Sequence, residues 1–321
     1  MKSNSKPIQN QNNQSSNAER SSVMSAIAQK GADIQNSFSW ANTLFLILSP
    51  IVAVVGTTLY TIFSGFSWAD LILFVVLYSL TGLSITAGYH RYYSHRSYQS
   101  NRLVQLFYLL FGASAFQNSV LHWASDHRIH HQHVDTDSDP YNIKKGFFWA
   151  HMGWIFYKSP SDRTFDNVPY LLNDKRVMFQ HRYYIWIATI MGFVVPMLIA
   201  SLWGHPMAGF FWGGWLKIVA IHHSTFLINS ACHWFGSQPH TPETSARNCW
   251  WLAFATFGEG YHNFHHTFAS DYRNGFKWYH WDPTKWVIYG FSKIGFTKKL
   301  NRSASKYMQK KEIPPTSLLE N

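Results

Sequence analysis

The chain alternates long apolar runs with polar stretches, and four of the runs reach the roughly 20 helical residues needed to cross the ~30 Å core of a bilayer. They are Ala41 to Phe63, Trp68 to Ala87, Tyr183 to Trp203 and Phe210 to Cys232. The first pair is joined near Ser64 to Ser67 and the second near Gly204 to Gly209, so the pattern predicts two helical hairpins. A fifth run, Leu103 to Phe116, has 14 residues and fits an interfacial or re-entrant segment better than a span. Residues 1–36, with QNQNNQSSN at their centre, read as a disordered, unprocessed polar tail, and residues 301–321 as a flexible one. One domain over residues 37–300 is left, its cap formed by residues 88–182 and 233–300.

Charge orients these spans. Lys and Arg number four in the N-terminal tail, eleven from Tyr89 to Arg182 and eleven after Cys232, and neither hairpin link has any. The positive-inside rule then predicts a multi-pass membrane protein with both termini and the cap in the cytoplasm. A net charge of +11 invites a nucleic-acid reading, but no basic stripe with interleaved aromatics and no binding signature accompanies it, so no nucleic-acid partner is expected. Two cysteines, Cys232 and Cys249, offer neither a disulfide framework nor a thiolate metal site. Any metal chemistry must use nitrogen or oxygen, and the chain has 18 histidines.

Eight of them cluster on the cytoplasmic side of that topology. His90 and His95 form H-R-Y-Y-S-H at the end of the second span, His127, His130 and His131 form H-R-I-H-H, and His262, His265 and His266 form H-N-F-H-H. On a helix, positions i, i+3 and i+4 share a face while the last two diverge by about 100°, so two such triplets can cradle two neighbouring ions. The i+5 pair shares no α-helical face and predicts a helix that ends at the mouth of the span, with the chain wrapping round the site. His233, at the cytoplasmic end of the fourth span, is a ninth candidate, and Asn229 lies one turn before it. Imidazole suits zinc, copper, nickel and iron, so the ligands alone leave the metal open.

Other features carry less. D-T-D-S-D from Asp135 to Asp139 opens like a calcium loop, but Pro140 and Gly146 stand where such a loop needs Gly and Glu. Glu259 and His262 spell E-x-x-H, yet flanking Gly258 and Gly260 predict a turn. His222 shares a face with Asn229 and His233, which allows a supporting role.

The three boxes and their surroundings resemble the membrane fatty-acid desaturases of the stearoyl-CoA, or delta-9, type. The likeness runs from about Ser84 to Lys299 through T-A-G-Y-H-R-Y-Y-S-H-R-S-Y, A-F-Q-N-S-V-L-H-W-A-S-D-H-R-I-H-H, D-P-Y-N, G-F-F-W-A-H-M-G-W, N-S-A-C-H-W-F-G and G-E-G-Y-H-N-F-H-H. The resemblance implies an all-α integral membrane fold with four transmembrane helices in two hairpins and a helical cytosolic cap carrying a di-iron centre. It implies that the irons are held by His90, His95, His127, His130, His131, His233, His262, His265 and His266, with Asn229 acting through water. It also implies dioxygen-dependent desaturation of a long-chain acyl-CoA and an external electron donor, a ferredoxin or a b-type cytochrome with its reductase. By residue match, Asn118, Trp123 and Asp126 line the headgroup entrance or tunnel. Tyr78 and Phe74, about 18 and 24 Å below His90 on a regular helix, are candidates to close its far end. One departure is Ser125, where the animal enzymes commonly have Arg, which leaves a lipid-linked or carrier-linked acyl group open beside acyl-CoA. A hydroxylase on the same scaffold is the nearest alternative. A metal transporter would spread its histidines through the spans.

Overall fold

The structure is a computed structural model that describes residues 37–157 and 164–303; the N-terminal tail and residues 304–321 of the C-terminal one lie outside the described residues. It divides into two compact units. In the smaller, Phe38 and Tyr157 form an antiparallel bridge and the Asn42 side-chain amide donates to the Ile155 carbonyl at 3.0 Å. The larger, Phe45–Trp154 with the chain from Phe165 onward, contains all the histidine boxes.

Among the described residues three helices are long and apolar enough to cross a bilayer: Trp40–Ser64, Trp68–Ser94 and Tyr184–Ser201. Half of the most apolar window of the second is buried, against 22% in each of the others. The second span is therefore the most buried of the three, and the other two turn apolar side chains such as Ile62 and Leu198 outward, as a lipid-facing surface requires. The fourth expected span is helical throughout, a π-wound Gly209–Leu216 running into Lys217–Trp234. It does not count among the apolar three, because Lys217, His222 and His223 dilute its hydropathy. Two of these point into the protein: Lys217 Nζ donates to the Ser114 carbonyl at 3.0 Å, and His222 Nε2 lies 2.8 Å from the Ala115 carbonyl. His222 thus anchors the fourth helix to the chain after Arg102–Ala113. That helix is the short fifth apolar run.

The second span differs from expectation at its cytoplasmic end. It does not stop near Ala87 but continues to Ser94 as a π-helix over Ser84–Ser94. At its other end Ser67 caps it, its hydroxyl accepting from the Ala69 N–H at 3.2 Å. Buried Asp70 accepts from Trp203 Nε1 at 2.8 Å, which ties the start of this span to the link between the third span and the fourth helix.

The cap is built on the π-wound end. The Val120–His133 helix starts at Ser119 and the Pro283–Lys293 helix at Asp282, whose carboxylate accepts from the Lys285 N–H at 2.9 Å. A two-stranded antiparallel ribbon pairs Gln99 with Lys298 and closes the C-terminal end of the described chain onto the exit of the second span. Glycine permits the closest packing in this region. A Cβ on Gly88 would lie 2.6 Å from the Tyr108 side chain, and one on Gly112 would lie 2.3 Å from the Tyr89 ring. Overpacking a core in this way costs about 1–3 kcal/mol. Gly112→Val is expected to lower the thermal midpoint of the detergent-solubilised protein by several degrees; an unchanged midpoint would show that the two helices have room to separate.

Candidate metal centre

The π-winding brings the first box together. A π turn closes on the fifth residue, and the His95 N–H indeed donates to the His90 carbonyl at 3.1 Å. Two histidines that an α-helix would turn apart therefore face one another, with ring centroids 4.9 Å apart. The other boxes lie on Val120–His133 and His262–Thr267, and His233 sits in the last turn of the fourth helix.

The nine histidines sort into two groups able to hold a metal ion. His90, His95, His127, His131 and His265 form one, and His130, His233, His262 and His266 the other; within each, the ligand atoms lie within 4.8 Å of one another. Each triplet is divided by helix geometry. Positions i and i+4 go together, as His127 with His131 and His262 with His266, while i+3, at His130 or His265, turns to the other group.

The spacing fits a shared ion. In the first group the Nε2 atoms of His90 and His265 are 2.9 Å apart, those of His95 and His127 2.7 Å, and those of His265 and His131 2.9 Å. In the second the separations are 3.3 Å for His130 and His266 and 3.0 Å for both His262–His233 and His266–His262. Two nitrogens each about 2.1 Å from one ion, at 90° to 110°, would be about 3.0–3.4 Å apart, which the second group matches and the first approaches from slightly tighter spacing. Six of the rings are also held neutral. Burial, and then the neighbouring imidazoles, push His95, His127, His131, His262, His265 and His266 well below the ordinary histidine range. A neutral imidazole with its lone pair inward is what a transition metal requires.

The opposite ring nitrogens supply the orientation. His90 Nδ1 lies 2.8 Å from Glu259 Oε2, and His130 Nδ1 lies 2.9 Å from Asp139 Oδ1. His233 Nδ1 lies 2.7 Å from the Ser245 hydroxyl, which donates in turn to Asp135. These acceptors hold protons at Nδ1 and leave Nε2 free. Burial works against the Glu259 carboxylate, but the Arg91 guanidinium and His90 outweigh it and hold its pKa below the ordinary range. Arg91 is itself buried, bridging Glu259 at 2.8 Å and Asp282 at 3.0 Å.

The comparisons agree with this geometry. A family model described as fatty acid desaturase matches residues 66–293, well over half of the 321. The chain belongs to the fatty acid desaturase family. It is 42% identical over 85% of its length to a probable acyl-CoA desaturase of Schizosaccharomyces pombe, of which it covers 56%. It is 42% identical over 71% of its length to acyl-CoA desaturase 1 of Saccharomyces cerevisiae, covering 45%. An sn-1 stearoyl-lipid 9-desaturase of Anabaena variabilis is 38% identical over 77% of the chain, with 88% of that relative covered. The chain thus spans about half the length of the yeast relatives it matches. Family membership and the three apolar spans make this desaturase-family member an integral membrane protein, and its histidine clusters are of the family's metal-site kind.

The remaining expected residues are dispersed. Asn229 lines a cavity together with His90, His127, His130 and His262, and so does Trp123, whose ring stacks on His127 at 5.1 Å. Asn118, Asp126, Tyr78 and Phe74 do not line it. Asn118 takes a left-handed conformation at φ 77° before the Val120–His133 helix, its N–H donating to the Tyr184 hydroxyl at 2.9 Å. Asp126 is half-buried beside His127. Tyr78 stands behind the wall, hydrogen-bonded to the Ser224 hydroxyl at 2.7 Å, and Phe74 stacks on Tyr78 at 5.8 Å.

Sequence reasoning passed over the supports. Glu259 does lie in a turn, as its glycines predict, yet its carboxylate holds His90. The acidic loop rejected as a calcium site supplies Asp139 and Asp135. Their signal was weak: no helical or strand period links these acids to the histidines they serve, and Glu259 is far from His90 in sequence. Removing such a support typically weakens a metal site about 10–100-fold. Glu259→Gln is expected to reduce the metal retained by the purified protein under chelator challenge by that order, and retention equal to wild type would remove Glu259 from the site.

Proposed function

We propose that this protein introduces a cis double bond at the delta-9 position of a long-chain acyl group, with two irons as cofactor and acyl-CoA as the substrate. The observation that carries the reading is the apposition of the two histidine groups and one apolar cavity. Ile85, Ile221, Ile228 and Phe257 line it beside His90, His127, His130 and His262. An unactivated methylene has no acidic proton and no polar handle, so acid–base groups alone cannot desaturate it. When bound, the irons supply the dioxygen-dependent oxidising chemistry that removes a hydrogen from each of two adjacent carbons.

The protein's own part is positional. His90, His95, His127, His131 and His265 would hold one ion, and His130, His233, His262 and His266 the other, and Asn229, which lines the cavity beside His130 and His262, would act on the second through water. Glu259, Asp139 and Ser245 keep the rings aligned. The isoleucines seat the chain and exclude water. Trp123 Nε1 donates to Gln117 at 3.2 Å, and Gln117 donates to Thr225 at 2.9 Å, which fixes the cavity wall beside His127. Electrons come from an external ferredoxin or b-type cytochrome at the cytoplasmic face, where both termini also lie.

The yeast relatives support acyl-CoA. The cyanobacterial relative, covered over nearly its whole length, supports a lipid-linked acyl group. Ser125 does not decide between them, because it is buried and donates to Asn167 at 2.9 Å, leaving no charge at that position for a phosphate. Purified protein given a donor system and either stearoyl-CoA or a stearoyl phospholipid is expected to turn over the thioester; turnover of the phospholipid alone reassigns the substrate. In cells, His130→Ala combined with His131→Ala removes a ring from each group. Wild-type cells are expected to gain monounsaturated chains that the double mutant lacks. Hydroxylated chains from the wild type would move the protein to the oxygenases.

A further inference from the structure

The turn that presents Glu259 also carries an aromatic side chain in a conformation that bulky residues avoid. Phe257 has a φ of 54°, in the left-handed region, and functional sites are where such strain is retained. Its neighbours hold it there. Gly258 follows at φ 100° and donates to the Ala253 carbonyl at 2.9 Å, and the Thr284 hydroxyl donates to the Phe257 carbonyl at 2.8 Å. The result is a ring driven into the cavity wall.

That ring has a seat. It occupies the space beside Gly82, where a Cβ would lie 2.2 Å from it, and both residues line the cavity. Gly82 is eight residues before His90 on the second span, towards the bilayer. Behind the ring stands Tyr78, with centroids 5.3 Å apart, its hydroxyl donating to the Ala255 carbonyl at 2.8 Å. Of the two aromatic rings at this level, Phe257 faces the cavity and Tyr78 supports it.

We propose that Phe257 sets the length of acyl chain the cavity accepts, with Gly82 as the notch that seats its ring and Tyr78 as its buttress. The inference rests on the acyl-desaturase reading above. It predicts that the volume of the 82/257 pair, not the metal centre, controls chain length. A methylene accommodated or refused by an apolar pocket changes selectivity by roughly tenfold or more.

The test compares membranes containing the full-length wild type with Phe257→Val, given competing saturated acyl-CoA substrates that differ by two carbons. The Val variant is expected to shift the ratio of products towards the longer chain by roughly tenfold. The double variant Gly82→Ala, Phe257→Val refills the vacated space and is expected to return the ratio towards that of the wild type. If Phe257→Val does not accumulate, Phe257→Leu carries the same expectation of a longer-chain shift. An active Val or Leu variant with the wild-type ratio overturns this inference and leaves the desaturase reading intact, as does a double variant that keeps the ratio of Phe257→Val. A wild type that forms no double bond overturns that reading and this inference with it.

Discussion

The buried guanidinium of Arg91 is the contact on which the rest of the structure depends. It lies one residue after His90 on the π-wound end of the second span and reaches Glu259, Asp282 and the Tyr272 carbonyl, the last at 2.8 Å. A charge taken out of water this completely is tolerable only with full pairing, and removing one partner of such a set typically costs about 3–5 kcal/mol. Three separate segments of the cap are thereby fixed to one residue of a membrane helix. Asp282 also caps the Pro283–Lys293 helix and accepts from the backbone of Asn274 and Gly275, and Glu259 also bonds His90 and Asn274. The ionic cluster therefore connects the span, the cap and the histidine groups.

This arrangement explains why the second span ends as it does. Continuing as a π-helix, it keeps its backbone hydrogen bonds while turning His90 and His95 to one side, and it buries Arg91 on another. An α-helix over the same residues would separate the two histidines, and an early end would leave unpaired backbone groups at the edge of the bilayer. The turn at 256–260 is constrained in the same way: Phe257 and Glu259, two residues apart, serve the cavity wall and the metal group respectively.

Much of this was legible in the sequence, and the limits have physical causes. The i, i+3, i+4 boxes announced two ligand groups because helix geometry alone divides each triplet between two directions. Three apolar runs became apolar spans because length and composition suffice for that. The fourth helix was read from length, and its Lys217 and His222 show what length omits, namely polar groups satisfied by Ser114 and Ala115 inside the protein. The π-winding at His90 was not legible, since i+5 spacing in an α-helical frame implies a break. Glu259, Asp139, Asp135 and Ser245 were not legible either: Glu259 and Asp135 reach partners far away in sequence, and Asp139 and Ser245 reach back to His130 and His233 through loops that have no helical period. Tyr78 was expected to close the cavity's far end, but it stands behind Phe257, and which ring faces the cavity depended on the backbone of Phe257.

Metal stoichiometry is the most direct measurement of the proposed assignment of the two histidine groups to two irons. Protein loaded anaerobically with ferrous iron and freed of excess should contain about two irons per chain, falling to about one when His233 and His262 are both replaced by alanine. One iron or none in the wild type, or a stoichiometry that the paired substitution leaves unchanged, would contradict the account.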